Sequence, residues 1–123
     1  GVMREAGLSE ALAGGFTAIS TPASFPIFGM LSAGLVNIFV PSGGGQWLVQ
    51  GPILIEAARQ LGVPDAKAVM ALAYGDQLTN MLQPFWALPL LGITGLQARF
   101  ILPYTAMALV LGMGIFAVVL LLF

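Results

Sequence analysis

Polar and apolar positions divide this chain into long, unequal blocks. Residues 11–55 form 45 consecutive positions without a charge, and residues 100–123 form another 24. Between them, Glu56, Arg59, Asp65 and Lys67 crowd into one short stretch, while Asp76 stands alone before Arg99. Crossing a hydrocarbon core of roughly 30 Å takes about 20 helical residues. Residues 100–123 meet that length as one transmembrane helix, with Tyr104 near its interface and Gly112 and Gly114 where a neighbouring helix can approach closely. The longer block cannot be a single helix, because Pro22 and Pro26 interrupt it early and Val40-Pro41-Ser42-Gly43-Gly44-Gly45 breaks it again. Two arms remain, at 27–40 and 46–61, each about 21 to 24 Å long as a helix and short of a full crossing. Two short arms around a glycine tip predict a re-entrant hairpin over 25–62. Its second arm is expected to stop at Gly62, in the left-handed C′ position, with Pro64 preventing continuation.

Asp65 is placed to cap the next helix, which runs to residue 98 with Gly75, Pro84 and Pro89 inside it. The pattern predicts a discontinuous transmembrane helix over 65–98, unwound somewhere between Tyr74 and Pro84. Residues 1–24 read as an interfacial segment or the end of a preceding helix, since Arg4, Glu5 and Glu10 are spaced among apolar side chains. The expected architecture is an all-α integral membrane protein in one membrane domain.

Composition reinforces this picture and removes alternatives. Only 7% of residues are charged, against roughly 25% in ordinary soluble domains, and 59% are hydrophobic. With neither histidine nor cysteine there is no thiolate nucleophile, no usual zinc site and no disulfide framework. Four basic residues at a net charge of −1 argue against nucleic acid as a partner. Ser42 has no histidine to activate it, and the glycine cluster lacks the lysine of a phosphate-binding loop, so enzymatic chemistry finds no support. The chain opens on Gly1 without an initiator methionine, which leads to the expectation of a C-terminal piece of a longer protein.

Interest therefore falls on polar groups that a membrane makes expensive. Broken backbone survives at membrane depth only where protein or a water-filled cavity surrounds it. At the tip, Gly43, Gly44 and Gly45 permit close approach and positive φ, and a helix starting near Gln46 would aim free N–H groups at an anion such as a carboxylate. A tight turn between helices explains the glycines equally simply, although Gln46 and Gln50 share one helix face. The second group is Asp76, Thr79, Asn80 and Gln83, at i, i+3, i+4 and i+7, which makes one polar stripe. An ionisable residue inside a membrane segment invites a functional reading, while a purely structural Asp76 would cap or pair freed amides near Gly75. No lysine or arginine falls in the apolar zones, which favours a small monoanion over a dicarboxylate.

The string from Ser32 through Asn37 and Pro41-Ser42-Gly43-Gly44-Gly45-Gln46-Trp47 to Gln50-Gly51-Pro52 resembles the short-chain fatty acid transporter family. The later string Tyr74-Gly75-Asp76-Gln77, Thr79-Asn80-Met81 and Gln83-Pro84-Phe85-Trp86-Ala87-Leu88-Pro89 resembles the same family. That resemblance implies a multi-pass bacterial inner-membrane carrier for acetoacetate, butyrate or similar monocarboxylates. It also implies substrate contacts at Ser42, Gly43, Gly44, Gly45, Gln46, Gln50, Thr79 and Asn80. Asp76, Asn37 and Gln83 are assigned to ion coupling, with H⁺ or Na⁺ as the coupling ion and no further cofactor. More distantly, the hairpin and broken helix are similar to one half of an inverted-repeat ion-coupled carrier. The expected partners are the substrate, the bilayer, an N-terminal part of the same carrier and a possible second copy of the chain. A passive facilitator for the same acids and a non-transporting assembly subunit are the alternatives. Phe39, Trp47, Phe85 and Trp86 are candidates for a pocket wall, as well as for packing or interface anchors.

Overall fold

A computed structural model of the chain describes residues 7–123, and it is helical throughout with no strand among the described residues. Arg4 and Glu5 of the expected interfacial segment lie outside the described residues. Six helices follow in order among the described residues: α1 (Leu8–Ile19), α2 (Phe25–Phe39), α3 (Gly43–Gln60), α4 (Asp65–Leu82), α5 (Leu88–Thr94) and α6 (Leu102–Leu122). Short 3-10 turns at Pro84–Ala87 and Ala98–Phe100 join the last three.

Proline placement explains most of these boundaries. Pro26, Pro89 and Pro103 sit in the first turns of α2, α5 and α6, where a missing N–H costs nothing. Pro22, Pro41, Pro64 and Pro84 lie between helices, and only Pro52 falls inside one. The turn before α2 is held reciprocally: the Thr21 N–H donates to Ser24 Oγ at 2.9 Å and the Ser24 N–H donates to Thr21 Oγ1 at 3.2 Å. At the end of α3, Gly62 adopts φ +70°. The Val63 N–H reaches back to the Ala58 carbonyl at 2.8 Å and the Gly62 N–H to the Arg59 carbonyl at 3.2 Å, which completes a Schellman stop. Asp65 does not cap α4. Pro64 occupies the cap position, and the Asp65 carboxylate instead accepts from Arg59 Nη2 at 2.7 Å.

The central packing is a parallel crossing of α2 and α4, which α3 makes possible by running back between them. Small residues meet all along it. A side chain at Gly29 would touch Ala71 at 3.3 Å, and one at Gly34 would touch the Thr79 methyl at 3.3 Å. Gly75 has no room at all, because a β-carbon there would overlap the Met30 carbonyl and lie 2.6 Å from Ala33 Cβ. α4 thus runs unbroken through Gly75, and the interruption expected between Tyr74 and Pro84 comes only at the end of that interval. Gly75 is where the backbones of two helices come closest, and the helical break falls at Gln83.

Buried apolar residues form two groups. One joins α1, α2, α3 and α4 around Phe25, Leu54, Ala57 and Leu72. The other joins α2, α4 and α6 around Met30, Leu78 and Leu120, with Tyr74 stacked on Phe116 at a ring separation of 4.2 Å. Gly112 lets α6 settle on Leu78, whereas Gly114 faces open space. α6, at 21 residues, is long and apolar enough to cross a membrane and turns most of its surface outward. Among the described helices it alone passes that test. The apolar exterior, with Phe39, Leu48 and Ile93 more than three-quarters exposed, is that of a membrane protein.

Candidate functional site

α2 and α4 end at one level, and each ends for the same reason. Pro41 stands four residues after Asn37, and Pro84 four residues after Asn80. Each proline lacks the N–H that would have satisfied the asparagine carbonyl one turn earlier. Gln83 compensates in both places: its Nε2 donates to the Asn37 carbonyl at 3.1 Å and its main-chain N–H to the Asn80 carbonyl at 3.2 Å.

Between these helix ends lies a polar cluster. Asn37 is completely buried. Its Nδ2 sits 3.0 Å from the Asp76 main-chain oxygen, 2.9 Å from Thr79 Oγ1 and 3.0 Å from Asn80 Oδ1. Asn80 in turn donates from Nδ2 to Asp76 Oδ2 at 3.0 Å. The i, i+3, i+4, i+7 stripe therefore faces α2, with Asn37 as its counterpart. Asn37 Oδ1 and Asp76 Oδ1 are buried without a donor.

The tip contributes differently from expectation. Gly43, Gly44 and Gly45 form the first turn of α3 with ordinary negative φ, so the left-handed conformation is not what their glycines supply. Ser42 caps that turn, its Oγ accepting from the Gly45 N–H at 3.3 Å. Gly43 lies against the Asp76 carboxylate, where a β-carbon would sit 3.5 Å from Oδ2, and this brings the positive end of α3 beside that charge. Gly44 faces nothing within 4 Å. Gln46 and Gln50 are engaged in fastening α3 to α2: Gln46 Nε2 donates to the Ala33 carbonyl at 2.7 Å and to Gln50 Oε1 at 3.0 Å, and Gln50 Nε2 donates to Ser32 Oγ at 3.0 Å.

Beside the cluster, between α4, the Pro84–Ala87 turn and α6, opens a cavity of about 770 Å³. Gln77, Asn80, Gln83 and Thr105 supply its polar groups, and Met81, Phe85 and Trp86 its apolar wall. No basic side chain lines it, so an anion there would meet amide and hydroxyl donors only. Phe85 and Trp86 thus stand on the cavity wall. Phe39 points outward at 78% exposure, and Trp47 lies flat over Gly51 on its own helix, so neither joins them. Asn80 and Gln83 are the residues common to the cavity and the sequence-derived substrate and ion-coupling candidates. Thr105 was missed, and its signal is a hydroxyl in the first turn of an otherwise apolar spanning helix.

An all-helical bundle with an apolar exterior, one helix long enough to cross a membrane, and a polar cavity beside a half-buried carboxylate belongs to the class of integral membrane proteins. The sequence profile of short chain fatty acid transporters matches residues 2–123, and the chain belongs to that family, one of transporters rather than enzymes. It is 45% identical over 122 residues to an Escherichia coli protein that carries the provisional name short-chain fatty acid transporter, covering 99% of this chain and 28% of that protein. A Haemophilus influenzae protein with the same provisional name is 44% identical over 117 residues, or 95% of this chain and 26% of its own length. The chain thus spans a little over a quarter of the length of these relatives. No solved structure matches it.

Proposed function

We propose that this chain is the C-terminal part of a secondary transporter that moves short-chain monocarboxylates such as butyrate or acetoacetate across a bacterial inner membrane, coupled to a cation. The observation that carries the reading is the cavity beside the helix ends. Its amide and hydroxyl groups suit a single carboxylate, and Met81, Phe85 and Trp86 suit a short alkyl tail. The missing basic side chain disfavours dicarboxylates, which would bring a second charge without a partner. Asn80, Gln83, Gln77 and Thr105 contact the substrate, while Asp76 and Asn37 serve the coupling ion and the first turn of α3 closes the site over Asp76. The hairpin of α2 and α3 re-enters the membrane, and the remainder of the carrier supplies the facing half of the site.

The test is uptake of labelled butyrate and acetoacetate by proteoliposomes holding the full-length protein that carries this sequence, with inward H⁺ and Na⁺ gradients imposed separately. Accumulation above equilibrium is the expected result. Equilibration without accumulation would identify a facilitator, and absence of flux for both acids would overturn the transport reading.

A further inference from the structure

The level at which α2 and α4 end holds more acceptor oxygens than hydrogens to share among them. A side-chain amide nitrogen has two hydrogens, yet three oxygens converge on Asn37 Nδ2 within 3.0 Å. The Thr79 hydroxyl donates elsewhere, to the Gly75 carbonyl at 3.3 Å. Asn37 Oδ1, on a side chain with no solvent exposure, has no donor, and neither has Asp76 Oδ1. A buried oxygen left unpartnered costs about 1–3 kcal/mol, and two of them in one cluster call for a missing positive species.

The backbone points the same way. α2 and α4 run parallel and stop together, so the negative ends of two helix dipoles converge on these oxygens. Gln83 replaces the two N–H groups that Pro41 and Pro84 lack, at the Asn37 and Asn80 carbonyls, and offers none to Asn37 Oδ1 or Asp76 Oδ1.

We propose that this cluster is a sodium site, in which the Asn37 amide turns over to present Oδ1 and Na⁺ is held by that oxygen together with Thr79 Oγ1, Asn80 Oδ1 and the Asp76 main-chain oxygen, the Asp76 carboxylate balancing its charge. A proton would satisfy one oxygen and leave the rest of the surplus. A divalent ion would carry twice the charge of the single carboxylate, and the described residues hold no group of three acidic, histidine or cysteine side chains. Because Asn80 also lines the cavity, ion and carboxylate share a residue, and each strengthens the binding of the other by the same factor. Only this last coupling rests on the transport reading.

The experiment has two independent arms on the full-length protein at fixed pH and ionic strength. In detergent, the melting temperature is followed as NaCl replaces choline chloride or KCl; in proteoliposomes, butyrate uptake is followed against Na⁺ concentration. The expected result is a saturable, Na⁺-specific rise in melting temperature that Asp76→Asn abolishes. Thr79→Val should raise the half-saturating Na⁺ concentration about tenfold or more, while Thr79→Ser, which keeps the oxygen, brings it back toward the wild-type value. Should Thr79→Val fail to fold, the wild-type titration and Asp76→Asn decide. Butyrate accumulation with no Na⁺ effect in either arm overturns the site and leaves transport standing. A Na⁺-specific thermal shift without flux supports the site and overturns transport. A shift that persists in both Asp76→Asn and Thr79→Val places the ion elsewhere and overturns the assignment.

Discussion

Gln46 on α3 and Asn37 on α2 are both fully buried amides that reach across to a neighbouring helix, yet their surroundings differ. Around Gln46 the two hydrogens on Nε2 meet two oxygens, and the chain continues through Gln50 and Ser32 to the Gly29 carbonyl at 2.9 Å, with Gln46 Oε1 alone left without a donor. Around Asn37 three oxygens compete for two hydrogens, and a carboxylate oxygen is left over as well. The first arrangement, built of amides and a hydroxyl that each hydrogen reaches singly, works as interhelical glue. The second, where three oxygens converge on one nitrogen beside a carboxylate, is poised for a cation, so polarity inside a membrane bundle separates into two kinds by what converges on each amide rather than by residue type.

The comparison can be broken most severely at the crossing that brings Asn37 to α4. Gly75→Leu forces α2 and α4 apart and should prevent folding, read as loss of a monodisperse peak in size-exclusion chromatography of the detergent-solubilised protein. The contrast between the two amides comes next. Asn37→Ala should reduce gradient-driven butyrate uptake to background, because the oxygens of Asp76, Thr79 and Asn80 lose the residue they converge on. Gln46→Leu removes two donated bonds away from the cavity and should lower stability by about 1–3 kcal/mol while the butyrate KM stays within roughly twofold. Thermal unfolding and uptake kinetics on both variants distinguish them, and equal loss of transport in the two would erase the contrast.

Smaller effects sharpen its edges. Gly44→Ala adds a methyl into open space on a helical residue and should leave uptake intact, with a gain of up to about 1 kcal/mol by propensity; lost uptake would make the tip a substrate contact. The smallest effect concerns Arg59 and Asp65 on the exposed margin. The hydrogen bond from Arg59 holds the Asp65 carboxyl below its ordinary range. Its contribution is therefore present above the unfolded-state pKa and fades as pH falls through the lower folded-state value. Melting curves from neutral to acid pH should show a slight extra loss in wild type that Asp65→Asn lacks, and salt should blunt it.

Much of this was legible in the chain itself. Charge-free length gave the spanning helix, proline spacing gave the division into short arms, and helical spacing gave the stripe at 76, 79, 80 and 83. Gly62 announced its own stop. What could not be read was which helix each element would face. The glycines at 34 and 75 carry no mark distinguishing a close crossing from an unwound turn, since both exploit the absence of a β-carbon. Gln46 and Gln50 have the same polarity as Asn80, and only the partner across the interface separates glue from site. Pairing of Asn37 with α4, 39 to 43 residues away, is a tertiary fact with no local trace.

The link from Gln83 to the Asn37 carbonyl has a mechanical consequence. Among the described side chains of residues 83–94 only Ala87 and Leu91 are buried, so this segment is tethered to the bundle by one hydrogen bond and a narrow apolar foothold. Swinging it outward would exchange the Gln83 amide for water at the end of α2, a cost of about 1 kcal/mol for the bond itself. The tightly packed crossing at Gly34 and Gly75 would stay shut throughout. Within this chain, one wall of the cavity is therefore held far more lightly than the pair of helices that carry Asn37 and Asp76.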